Sequence, residues 1–142
     1  ARRGLPLMLY VFSDGSISAS GQVDSTTDGR GKFMWTSDNQ STAASFFLVY
    51  NPRGRPSLLS TGAGGAARHQ QIGYFRSDAS VETASSPAAN VNLLVETVVL
   101  NYMALHGEQA QFAARFPRHG LGNSTLQDSL IAFDPIVSGR IA

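Results

Sequence analysis

The side chains best suited to chemistry lie in one stretch, RHQQIGYFR, at residues 68–76. If this stretch is a β-strand, alternation places both arginines, a glutamine and the tyrosine on one side. Guanidinium groups bind phosphates in a bidentate manner, and aromatic rings stack on unpaired bases. The polar residues of interest are Arg68, Gln70, Tyr74 and Arg76, with Asn90 and Asn92 further along the chain. They could bind single-stranded nucleic acid or form an ordinary solvated sheet face.

Residues typical of enzymes and metal sites occur here without their usual sequence context. The chain has no cysteine, and its histidines, His69, His106 and His119, match neither H-x-x-x-H nor H-E-x-x-H. The glycine-rich segment 61–68 lacks the G-K-[ST] of a phosphate-binding loop, and no G-x-S-x-G elbow is present. We therefore expect a protein that is not an enzyme and that holds no metal, no cofactor and no small-molecule substrate. A small hydrolase using His106 or His119 is the weakest alternative.

The chain is poor in charge: 15% of its 142 residues are charged, against about 25% in a typical soluble domain. A surface with so few charges is expected to lie partly against other protein. The net charge is +1, and Lys32 is the one lysine among 11 basic residues, so nucleic-acid binding would depend on local clusters of arginine. No apolar run reaches the roughly 18 residues of a membrane span, and no membrane partner is expected.

Strand and turn patterns fill most of the chain before residue 104. The Asp-Gly pair at 14–15 is a strong turn signal, and with its apolar flanks it predicts an N-terminal hairpin within 1–23. A sheet is expected over 32–102. Its central strand is predicted at 90–102, where NVNLLVETVVLNY is long, β-branched and apolar on both faces. Glu96 lies inside that stretch, so it is expected either to pair with an arginine across the sheet or to act as a general acid. Other strands are predicted at 32–37, 45–50 and 68–76.

After Gly107 the apolar spacing becomes helical, and two short helices are predicted over 107–133 with a break at 117–120. Asn123 and Ser124 are natural N-caps, and Ser124 with Gln127 fits a capping box. Pro135 is expected to end the second helix. Six strands or so, followed by two helices, predict an α+β fold in one domain, 1–142, with a tail at 134–142.

Two helices with narrow apolar stripes cannot cover a six-stranded sheet. If the helices cross onto the sheet of a second copy, the two chains together bury apolar surface that one chain cannot bury alone. The other face of the sheet then stays open for a ligand. The sequence therefore predicts an intertwined homodimer. The residues expected at the dimer contact are Phe112, Phe116, Leu126, Leu130, Phe133 and Val95.

The order of these segments resembles the coat proteins of single-stranded RNA bacteriophages (levivirus type). The similarity covers most of the chain and lies in the order and the local residue composition of its segments. The segments that carry it are DGRGKFMWTS (28–37), AASFFLVYNPRG (43–54), ARHQQIGYFR (67–76), NVNLLVETVVL (90–100), HGEQAQFAARF (106–116), NSTLQDSLIAF (123–133) and the tail DPIVSGRIA.

The resemblance implies a capsid protein of the virion that assembles in the cytoplasm of a bacterial host. In that family, coat dimers tile an icosahedral shell, and the inner sheet face binds a hairpin of the single-stranded RNA genome that represses replicase translation. Carried over, the RNA-facing residues would be Arg68, Gln70, Tyr74, Arg76, Asn90 and Asn92, with Lys32 and Trp35 as weaker members. The alternative is a β-rich binding or adhesion module that acts as a monomer.

Overall fold

The computed structural model describes residues 4–12, 19–35, 45–59 and 90–137, together with Ser77, Ser80 and Pro87. Within these residues the chain is α+β, with antiparallel strand pairs first and helices towards the C-terminus, as the sequence predicted. The predicted strand at 68–76 lies outside the described residues.

The described strands are β1 (Leu7–Phe12), β2 (Ala19–Asp24), β3 (Lys32–Trp35) and β4 (Ser45–Tyr50). They form two separate two-stranded antiparallel sheets, β1 with β4 and β2 with β3. The predicted six-stranded sheet is therefore wrong for the described residues. So is the hairpin within 1–23, because β1 and β2 belong to different sheets. The sequence LMLYVF of β1 is apolar throughout and pairs with the apolar FFLV of β4, a match that outweighs the local Asp-Gly turn signal.

The stretch predicted as the central strand is a helix, α1 (Val91–Leu105). The side chain of Asn90 caps it, since its Oδ1 accepts hydrogen bonds from the backbone N–H groups of Asn92, at 2.9 Å, and Leu93, at 3.2 Å. The residues that α1 buries recur at helical spacing, as in Leu94, Thr97, Leu100, Asn101 and Ala104. The strand prediction was wrong because it gave more weight to β-branched content than to this cap and spacing.

Two short helices follow α1, which confirms that part of the prediction. Before them, Gly107 follows the C-terminal end of α1 with a φ of 73°, in the left-handed region that glycine adopts readily. A 3₁₀ turn (Gln109–Gln111) then leads into α2 (Phe112–Arg115), and α3 spans Ser124–Ser129. Because α3 is already complete at Ser129, Pro135 does not end it.

Asn123 rather than Ser124 is the N-cap of α3. Its Oδ1 accepts from the backbone N–H of Leu126 at 3.1 Å. The predicted capping box does not form, because the amide of Gln127 instead donates to the carbonyl of Gly122 at 2.8 Å. The side chain of Gln127 thus links α3 to Gly122, the residue before the N-cap.

The helices pack against one another. Since α1 replaces the expected central strand, it supplies the apolar surface that the two later helices need. The apolar side chains of the two short helices therefore pack into a core within the single chain. That core is formed by Leu100, Met103, Ala104, Phe112, Leu121 and Ile131.

The loop after β4 is fastened to the C-terminal segment. Leu59 donates its backbone N–H to Ala132 and Asp134 donates to Ser57, each at 3.0 Å, around an antiparallel bridge between Leu58 and Phe133. Arg53 adds a hydrogen bond from Nη2 to the carbonyl of Ile136 at 2.8 Å. The segment 51–59 is thereby linked to the helical unit.

Candidate functional site

The predicted RNA-facing residues are not all on one strand. Arg68, Gln70, Tyr74 and Arg76 lie outside the described residues. Asn90 and Asn92 lie at the start of α1, so their predicted place on a strand is wrong. The Oδ1 of Asn90 is already engaged in capping that helix.

Lys32 and Trp35 lie on β3, at its two ends. Both are exposed, and Trp35 leaves 68% of its surface uncovered. Successive strand residues point to opposite faces, so positions 32 and 35 belong to different faces of β3. The two side chains can therefore contact RNA together only if the RNA crosses the edge of the strand.

A tight turn between β2 and β3 presents two exposed cations, Arg30 and Lys32. Asp24 organises it: its Oδ1 accepts from the hydroxyl of Thr26 at 2.7 Å and from the backbone N–H of Thr26 at 2.9 Å. These two bonds, the hydroxyl's first, hold the pKa of the Asp24 carboxyl below its ordinary value. Arg30 adopts a φ of 53°, in the left-handed region, and its N–H donates to the carbonyl of Thr26 at 3.0 Å.

The predicted dimer-contact residues divide into two groups. Phe112 has no exposed surface, and its ring centroid lies 5.2 Å from those of Phe116 and His119, so it is a core residue of the helical unit and not part of its outer surface. Leu130 and Phe133 are half-buried. The exposed members are Val95, Phe116 and Leu126.

The β1–β4 pair presents a larger apolar surface, which the sequence reasoning missed. Its register sets Leu7 opposite Tyr50, Leu9 opposite Leu48 and Val11 opposite Phe46. Alternation places these six residues on one face, and all six are exposed. We call them the ribbon face. A signal was present in the sequence, since β1 is apolar on both sides, but the pairing of the two strands was not predicted.

The helical unit contains a cleft of 310 Å³ beside His119, Gln127 and Gln109. Nδ1 of His119 accepts a hydrogen bond from the backbone N–H of Leu121 at 3.2 Å. Nε2 of His119 lies 3.4 Å from Nε2 of Gln127. These contacts give His119 a structural role, because they link its loop to α3.

The acids of the helical unit also have structural contacts. Glu96, predicted to face an arginine across a sheet or to act as a general acid, instead accepts from the backbone N–H of Gly120 at 2.8 Å. Glu108, with 7% of its side chain exposed, pairs with Arg115 at 3.4 Å. Glu96 thus holds the turn between α2 and α3 against α1.

No group of three or more histidine, cysteine or acidic residues within the described ranges could hold a metal ion. Among the helices of the described part, none is long and apolar enough to cross a membrane. Comparison with models of protein families, with curated proteins and with solved structures finds no match to this chain.

Proposed function

We propose that this chain is the coat subunit of a single-stranded RNA bacteriophage, which dimerises and assembles into an icosahedral shell around RNA. The observation that carries the proposal is the amount of apolar surface left open. Both strand pairs and the helical unit leave large apolar side chains exposed, among them Leu9, Trp35, Leu48, Val95 and Leu126. Large apolar patches on a protein surface mark association sites, and the six exposed residues of the ribbon face form one such patch.

The low charge of the sequence also supports self-association. Charged residues make up 15% of the chain, against about 25% in a typical soluble domain. A surface poor in charge is suited to lie against other protein, and each subunit of a closed shell needs such contacts.

The RNA part of the proposal rests on local cations. The turn that ends in Lys32 displays Arg30 beside it, and the sequence places Arg68 and Arg76 on one predicted strand. A net charge of +1 gives no general attraction to RNA, so RNA binding would depend on these clusters. Phosphate contacts of this kind favour packaging with little sequence preference, and a hairpin-specific repressor role is the finer form of the proposal.

A monomeric binding module is the second candidate, and the packing of the helices favours it. The helices close on their own core around Phe112 and leave a cleft beside His119. A module of this kind would need no second copy to bury its helical stripes. Such a monomer would leave the apolar ribbon face exposed to water.

Expression followed by size-exclusion chromatography, negative-stain imaging and an absorbance ratio tests the proposal. We expect uniform shells that carry host RNA. A monomer near 15.1 kDa without nucleic acid would contradict the coat function and favour the binding module.

A further inference from the structure

We infer that the cleft beside His119 is a nucleotide-binding site, which takes an adenine base inside and leaves the phosphate outside at Arg118. The cleft lies between the 3₁₀ turn and α2 on one side and the start of α3 on the other. Its volume of 310 Å³ is at the lower end of the roughly 300–1,000 Å³ of ligand sites, so it suits one flat ring system. The inference goes beyond the proposed coat function, because a monomeric chain would hold the same cleft.

Part of the lining is apolar. Leu100 and Ile131 belong to the core of the helical unit, and Ala110 and Ala113 add small side chains from the 3₁₀ turn and α2. A flat ring gains free energy by covering such a surface, whereas a sugar or a phosphate does not.

The side chain of Gln127 offers the cleft a hydrogen-bond acceptor. Gln127 is only 8% exposed, and its amide nitrogen donates to the carbonyl of Gly122 at 2.8 Å. That bond fixes the orientation of the amide, since the opposite orientation would bring two oxygens together. Oε1 of Gln127 therefore remains as an acceptor, and within the described part of the chain it has no hydrogen-bond partner.

A second amide on the cleft also lacks a donor. Gln109 lines the cleft, and its Oε1 is buried without a hydrogen-bond partner. A buried acceptor without a donor costs free energy. The last torsion of a glutamine side chain is soft, so a turn of this amide would present its oxygen to a ligand. A ligand that brings N–H groups would satisfy both amides.

The polar lining favours a neutral base that carries an amino group. Of the described residues that line the cleft, Asp128 is the one acid and none is lysine or arginine, so an anion is disfavoured inside. Glutamine amides pair with the amino group and N7 of adenine. The ring of His119, 5.2 Å from that of Phe112 by centroids, borders the cleft as a surface on which a base can stack.

A phosphate site lies next to the cleft rather than in it. Arg118 directly precedes His119 and is exposed, and it has no ion-pair partner in the ranges that the structure describes. Guanidinium groups bind phosphate through paired hydrogen bonds. A nucleotide with its base against His119 thus has its phosphate within reach of the neighbouring arginine.

Equilibrium dialysis of the purified chain, freed of nucleic acid, against labelled adenosine monophosphate tests the site. We expect this ligand to bind at least about ten-fold more tightly than uridine monophosphate, whose base has no amino group. Equal affinities for the two nucleotides, or no binding of either, would overturn the inference.

Gln109→Leu separates a binding role from a structural role. It removes a buried acceptor that has no partner, so the melting temperature should be unchanged or higher, while the affinity for adenosine monophosphate should fall at least about ten-fold. Gln111→Leu is the control, because Gln111 is exposed in the same turn and accepts from Arg115 at 3.2 Å. Wild-type affinity in Gln109→Leu would refute the site.

Arg118→Ala tests the place of the phosphate. It should weaken the binding of adenosine monophosphate and leave that of adenosine unchanged, and equal losses for both would refute the phosphate contact. Competition by a short oligoadenylate shows whether the base comes from an RNA strand, whereas a free nucleotide is the ligand if the strand does not compete. Wild-type shells that bind no adenosine monophosphate would overturn this inference alone, and a chain that binds it without forming shells would overturn the coat function alone.

Discussion

Asn101 and Ala132 are joined by a buried hydrogen bond between α1 and the C-terminal segment: the N–H of Ala132 donates to Oδ1 of Asn101 at 3.0 Å. The amide of Asn101 also donates to the carbonyls of Leu130 and Thr97, each at 2.9 Å. Both polar atoms of this side chain are therefore satisfied in the core. The buried asparagine fixes the segment after α3 at one position along α1.

Replacing Asn101 should destabilise the helical unit. Asn101→Leu leaves the N–H of Ala132 and the carbonyl of Leu130 buried without that partner, and we expect the free energy of unfolding to fall by about 1–3 kcal/mol. Urea denaturation followed by circular dichroism at one protein concentration measures this change. Asn92→Leu, on the exposed side of the same helix, is the control. Equal decreases in the free energy of unfolding for the two substitutions would show that the buried hydrogen bonds of Asn101 do not add to stability.

Substitutions of Asn90 can distinguish its role as the N-cap of α1 from its predicted role in RNA binding. Asn90→Ala removes the acceptor for two backbone N–H groups and should cost about 1 kcal/mol of stability. Asn90→Asp keeps the acceptor and should keep the stability. RNA affinity, measured by filter binding, should be the same for Asn90→Asp and the wild type if Asn90 acts only as a cap. A large decrease in affinity with aspartate would return Asn90 to the RNA-facing set.

Low pH should destabilise the turn between β2 and β3. The pKa of Asp24 is lowered in the folded chain by its bonds from Thr26, so its contribution is fully present above the unfolded pKa. That contribution is lost as pH falls through the lower, folded value. We expect the wild type to lose part of its stability below about pH 4 and Asp24→Asn to flatten that dependence. Thermal melts from pH 3 to pH 6 test it, with Asp28→Asn in the same loop as the control.

Exposed helix residues allow the dimer to be tested without unfolding the chain. Val95→Asp or Leu126→Asp should give a monomer with an unchanged circular dichroism spectrum, because both side chains are open in the single chain and a charge there opposes burial in an interface. Thr125→Asp, exposed beside Leu126, is the control and should stay dimeric. Phe112→Asp is not informative, since burying a charge in the core would unfold the helical unit.

RNA binding through the predicted strand should depend on salt. Replacing Arg68 and Arg76 by alanine should weaken binding and reduce the slope of log affinity against log salt by about 0.7 for each phosphate of a single strand that is no longer neutralised. Fluorescence anisotropy with a labelled oligoribonucleotide at several salt concentrations gives that slope. Lys32→Ala tests the turn in the same assay. An unchanged slope in the double variant would remove both arginines from the RNA-binding surface.

The sequence predicted the elements whose signals are local. β4 has the bounds Ser45–Tyr50 that its apolar run predicted, and β3 begins at Lys32 as expected. The break at 117–120 separates α2 from α3 because Pro117 and Gly120 interrupt the helical pattern. In each case neighbouring residues decide the structure.

What the sequence did not predict depends on distant residues or on two competing local signals. The pairing of Leu9 with Leu48 joins strands far apart in the chain, and an Asp-Gly turn pointed to a nearer partner. The segment of α1 has β-branched residues that favour a strand and an Asn90 cap that favours a helix, and packing against Phe112 and Ile131 decides between them. The ribbon face was missed for the same reason, since it exists only once β1 and β4 are paired.

The register of β1 with β4 also has a consequence for the timing of folding. The helical unit is built from residues close in sequence, whereas Leu7 must find Tyr50 across the intervening chain. Such long-range pairing carries a larger loop-closure entropy and forms more slowly. The apolar segments of β1 and β4 are therefore expected to stay unpaired longest during folding, and unpaired apolar strands are the part of a folding chain that aggregates most readily.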